Sequence, residues 1–233
     1  YSVDNERRGE IYEGGILIQA IIHGNRGGGE EMSKEKVVID WRRYVGPIEW
    51  YDTQGALQFF HLFTLGMRHY HSLLDFGCGS LRFGRFAIQY LDRGNYYGIE
   101  PKRDLVTEGI KHNCLTELVR EKTPYLEISD ACDMFIFKRN FDYIMAQSVF
   151  AHMPKQQIDK SLESAYKAMK PETIFLATYS EGKVDYGGKE WNQSGAFYRP
   201  VTMRAIIEKH NLTMRILPVY HPGRQTWILI RRK

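Results

Sequence analysis

Ser72-Leu-Leu-Asp-Phe76 runs straight into Gly77-Cys-Gly79-Ser-Leu-Arg-Phe-Gly84. This is a short apolar strand, a glycine turn, and then a helix-like stretch from Phe83 to Leu91. Gly77 and Gly79 let the backbone turn sharply and let a ligand approach without a Cβ in the way. Tyr96-Tyr-Gly-Ile99 is the next short strand, and Glu100 ends it. A carboxylate there can accept both hydrogen bonds of a ribose diol. Strand, glycines, helix, strand and terminal acid in this register point to an adenosine-containing ligand.

Working outward, strand and helix patterns alternate from His71 onward. Asp104, a plausible N-cap, opens a predicted helix to about Arg120. Tyr125 to Ile128, Phe141 to Ala146 and Thr173 to Tyr179 read as strands. Pro154 opens a helix whose Ile158, Leu162, Ala165, Tyr166 and Met169 share a face. Thr202 to His210 is a further helix. Leu212 to Tyr220 and Gln225 to Ile230 flank His221-Pro-Gly-Arg224 as an antiparallel hairpin. Repeated strand–helix units imply an α/β, doubly wound, mostly parallel sheet closed by an antiparallel C-terminal hairpin strand. Upstream, Thr53 to Met67 reads as an aromatic-rich helix. Residues 1–40 form an expected N-terminal extension, partly flexible around the glycine-rich His23 to Glu30, with the main domain over 41–233. The absence of Met at Tyr1 suggests a trimmed chain or a piece of a longer one.

Composition narrows the class. The 233 residues carry 32 Lys+Arg against 28 Asp+Glu, a net charge of +4 spread over mixed signs. That argues against nucleic acid as a partner. No apolar run approaches the roughly 20 residues of a membrane span. Cys78, Cys114 and Cys132 have neither disulfide nor zinc spacing, which fits a reducing cytoplasm.

A dinucleotide fold would need a third glycine where this chain has Arg82. Asp75, placed in the turn, would repel a pyrophosphate but could pair with a ligand's ammonium group. The pattern therefore favours S-adenosylmethionine over NAD. Leu74-Asp-Phe-Gly-Cys-Gly-Ser80 and Gly98-Ile-Glu-Pro101 resemble the first two motifs of the class I S-adenosylmethionine-dependent methyltransferases. Ile128-Ser-Asp-Ala131 resembles the third, Phe141 to His152 the fourth-strand segment, and Met169-Lys-Pro171 the turn before strand five. The resemblance spans about Leu57 to Lys233 and implies a seven-stranded sheet. It also implies cofactor contacts: Asp75, Gly77, Cys78 and Gly79 around the methionine part, and Glu100 with Pro101 at the ribose. Asp130 and Ala131 would face the adenine, with Gln147 beside the cofactor. Arg82 and Phe83 fall where the family varies and receive no role. Trp50, Tyr51 and Gln54 would cap the pocket or simply pack.

The missing motifs shape the acceptor. Ala146-Gln-Ser-Val149 lacks the Asn/Asp-Pro-Pro-Tyr/Phe signature of enzymes that methylate base or glutamine amino groups. No cysteine follows a proline as a ring-attacking nucleophile would, and the clustered acids of metal-assisted catechol enzymes are absent. Metal-independent O-methylation of a small molecule, a sugar or secondary metabolite, is the expected reaction. N-methylation, a protein or RNA acceptor, and a non-catalytic cofactor-binding module stand as rivals. His152, just before the Pro154 helix, is the candidate general base. The aromatic, glycine-jointed stretch from Tyr179 to Arg199 is a candidate lid, with Tyr179, Trp191, Tyr198 and Arg199 as substrate contacts. His221, Arg224 and Lys189 are further groups that could meet an acidic acceptor. The oligomeric state is open.

Overall fold

A computed structural model describes residues 41–233. The expected N-terminal extension over 1–40 lies outside the described residues. Two short 3-10 turns, Arg43–Val45 and Ile48–Trp50, lead into helix α1, Tyr51–Thr64. The strands and helices then alternate: β1 (Leu73–Phe76), α2 (Gly84–Tyr90), β2 (Tyr96–Ile99), α3 (Arg103–His112), α4 (Thr116–Lys122), β3 (Tyr125–Glu127) and β4 (Phe141–Ala146). There follow α5 (Lys155–Ala168), β5 (Met169–Glu181), β6 (Phe197–Tyr198), α6 (Pro200–Glu208), β7 (Leu212–Leu217) and β8 (Thr226–Arg232). The sheet order is β3-β2-β1-β4-β5-β8-β7, and the two-residue β6 lies in parallel beside the end of β5. β8 runs antiparallel between β5 and β7. This is the doubly wound, seven-stranded sheet with a C-terminal hairpin strand.

Period-two alternation explains why both faces are covered. Leu73, Tyr143, Met145, Leu176 and Trp227 pack with Leu62, Ala87, Ile88, Val106 and Ile110 on one side. Leu74, Ile144, Ala146, Phe175 and Ile228 pack with Ile158, Leu162, Ala165, Met203 and Ile207 on the other. The sheet core is thus shielded from water twice.

Three element boundaries differ from the sequence reading. The helix expected to run from Asp104 to Arg120 is two helices. Asn113 turns its side-chain amide back onto the Gly109 and Ser80 carbonyls, and Cys114 follows at φ +57°. Asp104 sits within the first turn of α3, with Lys102 as the N-cap residue. Met169-Lys-Pro171 falls within the bounds of β5, but the ladder is irregular there: Met169 pairs with Phe141, the next pair is Ile174 with Tyr143, and the Thr173 hydroxyl donates to the Phe141 carbonyl at 2.5 Å.

Two glycines set how closely the helices approach the turn after β1. A Cβ on Gly109 of α3 would overlap the Ser80 carbonyl, and one on Gly55 of α1 would overlap the Arg82 carbonyl. Helix propensity alone says Gly109→Ala should stabilise by about 1 kcal/mol. The overlap is with backbone, which cannot swing away, so the expected outcome has the opposite sign: a loss of about 1–3 kcal/mol in chemical denaturation. Unchanged or raised stability would refute this account of the helix–turn contact.

Candidate functional site

The carboxyl ends of β1, β2 and β4 open into a cleft of about 330 Å³. Such a position follows from the topology, because strand order reverses between β1 and β4 and the flanking connections part there. Gly77 (φ +76°) and Gly79 (φ +56°) turn the chain beneath it. A Cβ at Gly77 would lie 2.6 Å from Val149 Cγ2, and one at Gly79 2.7 Å from Val45 Cγ1. The two glycines therefore leave a groove that side chains would fill, which is the shape a cofactor's backbone-hugging segment requires.

Two buried carboxylates flank this groove. Asp75 is on β1, and its Oδ2 accepts a 2.6 Å hydrogen bond from the Tyr96 hydroxyl. Burial pushes its carboxyl up to about 7; the Tyr96 bond and the Arg82 charge pull the other way, and Glu100 adds to the rise. Glu100, just past β2, accepts from the Gly79 amide at 3.2 Å and the Lys102 amide at 3.0 Å. Burial raises its carboxyl too, against those two amide bonds and the Lys102 charge. Both acids are held in dry, fixed positions where a ligand's ammonium or hydroxyl groups would find pre-oriented acceptors.

Arg82 lines the same cleft. It is 6% exposed. Its guanidinium donates to the Val45 carbonyl at 2.6 Å and to Gln147 Oε1. Gln147, the residue after β4, continues the chain of polar contacts to Ser148 Oγ (2.6 Å) and to His221 Nε2 (2.8 Å). Burial, with the Arg82 and His61 charges beside it, brings the His221 imidazole down to about 4, so it is neutral at physiological pH. Ser148 holds φ +58° while its amide donates to Thr178 Oγ1 at 2.7 Å and its hydroxyl to Gln225 Oε1 at 3.1 Å. Backbone strain of this kind persists only where the surroundings fix it.

Another part of the cleft lining comes from separate segments of the chain. His152 Nδ1 lies 2.9 Å from the Asn192 carbonyl, and its ring stacks on Trp191 at 5.2 Å and 24°. Amide bonds Asn192 to His152 (2.9 Å) and Ala196 to Ala151 (2.6 Å) fasten the two loops together. Gln54, Gln58, Gln193, Gln225 and Trp50 complete the wall.

Of the residues singled out from sequence, Asp75, Gly77, Cys78, Gly79, Glu100, Gln147, His152 and Trp191 line this one cleft. Pro101, Asp130 and Ala131 are exposed at the strand ends and do not line it. Three lid residues are placed elsewhere. Tyr179 is fully buried, because alternation along β5 turns it with Phe175 and Ala177 into the core against α5 and α6. Tyr198 donates from its hydroxyl to the Met153 carbonyl at 2.7 Å and packs on Gly187. Arg199 precedes α6 and pairs with Asp185 at 3.2 Å, while its amide donates to the same carboxylate. Among the further basic groups, His221 lines the cleft, while Arg224 and Lys189 do not. Arg82, Gln58, Gln193 and Gln225 were not anticipated as cleft residues. The i,i+4 spacing of Gln54 and Gln58 on the buried face of α1 was the one available signal.

Comparison with known proteins now adds identity. Residues 74–175 match the model of a family described as a methyltransferase domain. No curated protein matches the chain in sequence. Among solved structures, magnesium protoporphyrin IX methyltransferase from Synechocystis, with bound S-adenosylmethionine, aligns at TM-score 0.61 and 12% identity over 83% of this chain and 89% of that one. An S-adenosylmethionine-dependent methyltransferase from Clostridium acetobutylicum aligns at 0.59 and 10%, over 78% and 92%. A glycopeptide N-methyltransferase complexed with S-adenosylmethionine aligns at 0.60 and 10%, over 77% and 94%. At such identities the likeness is one of fold. Seated on that fold, residues 74–175 are a methyltransferase domain, and the sheet that carries them has the fold of these S-adenosylmethionine-dependent methyltransferases.

Proposed function

We propose that this methyltransferase acts on an oxygen of a small neutral acceptor, a sugar or secondary metabolite, by metal-independent in-line transfer in the cytoplasm. The observation that carries the reading is His152. A carbonyl oxygen only accepts, so the bond to Asn192 requires the proton on Nδ1 and leaves the Nε2 lone pair available. His152 is thereby preset as a base in the cleft that also holds the glycine turn and both buried acids. When bound, S-adenosylmethionine supplies the methyl group on a sulfonium. Glu100 holds the ribose hydroxyls, Asp75 faces the ammonium group, and His152 takes the proton of the attacking hydroxyl.

The lining supports a neutral acceptor. Gln54, Gln58, Gln193 and Gln225 offer paired donors and acceptors, and Trp50 and Trp191 offer flat apolar surface. Such a set suits a ring bearing hydroxyls better than a phosphodiester or a peptide. No helix among the described residues is long and apolar enough to cross a membrane, and Cys78, Cys114 and Cys132 are free, as a reducing compartment would have them. Among the described residues no group of three or more His, Cys, Asp or Glu could hold a metal.

Replacing His152 by Asn keeps a donor for Asn192 but removes the base. Turnover should fall about a hundred- to ten-thousandfold with S-adenosylhomocysteine affinity unchanged, measured by single-turnover kinetics and calorimetry. Near-normal turnover in the folded variant would end the general-base assignment.

Asp75 makes binding pH-dependent with a definite sign. Its carboxyl titrates at about 7 in the free protein. Below that pH it is neutral and must release a proton before it can pair with an ammonium group. Affinity for S-adenosylhomocysteine should therefore rise with pH, by up to about tenfold per unit below the titration, and level off above it. Asp75→Asn should flatten that slope. A slope that survives the substitution would assign the proton elsewhere.

A further inference from the structure

Arg82 is the buried ionised group that neither the fold nor the reading above employs. Its guanidinium carries five N–H donors. One bond goes to the Val45 carbonyl and one to Gln147, both neutral acceptors. Its Nε–H is buried without a partner. Among the described residues it forms no ion pair, although Asp75 lies near enough to influence it electrostatically. A desolvated cation served only by neutral groups is costly to keep, and burial accordingly lowers its pKa to about 10. Such an arrangement is relieved when an anion arrives.

The position of Arg82 says which anion. It ends the glycine turn three residues beyond Gly79 and lines the same cleft as Asp75. Its backbone carbonyl is fixed against Gly55 and its head against Val45 and Gln147, so it is held in place before any ligand binds. The cofactor's amino-acid end is a zwitterion, with an ammonium and a carboxylate on one carbon. Asp75 and Arg82 form a matching pair of opposite charges on one turn. We infer that Arg82 is the receptor for the carboxylate of S-adenosylmethionine, opposite Asp75 at the ammonium, so that the turn reads both charges of the amino-acid group. The planar fork of arginine suits this role, since it can meet both oxygens of a carboxylate at once. The inference rests on the cofactor assignment and adds a residue to it.

The test compares two ligands that differ only in the amino-acid group. S-adenosylhomocysteine carries the carboxylate, whereas 5′-methylthioadenosine keeps the adenosine and the sulfur but lacks it. In calorimetry, Arg82→Met should weaken S-adenosylhomocysteine about ten- to a hundredfold and leave 5′-methylthioadenosine unchanged. Arg82→Lys, which keeps the charge without the fork, should fall between. Equal losses for both ligands would show that Arg82 only shapes the cleft, and unchanged S-adenosylhomocysteine affinity would show that Arg82 does not meet its carboxylate. Either result overturns the inference. The wild-type protein supplies a control that does not depend on folding of a variant. S-adenosylhomocysteine lacking only its carboxylate should bind markedly more weakly than the parent, and equal binding would overturn the inference as well. Failure of the wild-type protein to bind either parent ligand would instead strike at the cofactor assignment, so the two failures are distinguishable.

Discussion

The turn after β1 is clamped between two helices with no room for a side chain at the contact. Gly109 of α3 lies under the Ser80 carbonyl and Gly55 of α1 under the Arg82 carbonyl. The Ser80 carbonyl accepts from the Tyr51 hydroxyl at 3.1 Å and from the Asn113 amide at 3.1 Å. These contacts set the height of residues 79–82 above the sheet. The cleft's inner contacts hang from that height: the Gly79 amide on Glu100, the Arg82 fork on Gln147, and Val45 drawn over Gly79. Close packing transmits position faithfully because interiors have almost no slack. Helix α1 therefore helps to shape the cleft although it precedes the first strand of the sheet.

The cleft's charges have a logic of their own. Two acids and one guanidinium are buried within it, and burial raises both acids and lowers the base. Each shift moves its group toward neutrality, which is how a site limits the cost of holding charges in a dry place without a ligand. A zwitterion with a ribose reverses that tendency by giving each group a partner. Preorganised charges that await their complement bind with little rearrangement, which is why these side chains are hydrogen-bonded to backbone or to one another in advance.

How far the sequence discloses this depends on distance along the chain. β1, the glycine turn, β2 and Glu100 are contiguous, and their chemistry is visible as a run of residues. β4 matched residue for residue because Phe141-Asp-Tyr-Ile-Met-Ala146 is a short run, apolar but for Asp142 near its start, bounded by turns. The break at Asn113 was hidden, since it depends on a side-chain amide reaching the Ser80 carbonyl across the fold. Arg82 was hidden for the same reason: its partners are Val45 and Gln147, which only the sheet brings together. Tyr179 illustrates the opposite error. Its aromatic ring at a loop margin suggested a substrate contact, but Phe175 and Ala177, four and two positions earlier, already pointed that face inward.

The family match and the cleft also divide the chain in a telling way. Asp75, Gly77, Gly79, Arg82, Glu100, Gln147 and His152 fall within the matched residues 74–175. Trp50, Gln54, Gln58, Trp191, Gln193, His221 and Gln225 fall outside it. Under the proposed reading the first group would surround the cofactor and the proton, and the second would form the wall an acceptor meets. Loops and terminal segments on a fixed scaffold vary without disturbing the sheet, so they are where a fold acquires a particular substrate. His152 sits at the seam, on a matched segment but held in its tautomer by Asn192 from an unmatched one. In the proposed reaction the loop that would meet the acceptor also orients the proposed base, which would couple recognition to proton transfer through a single carbonyl oxygen.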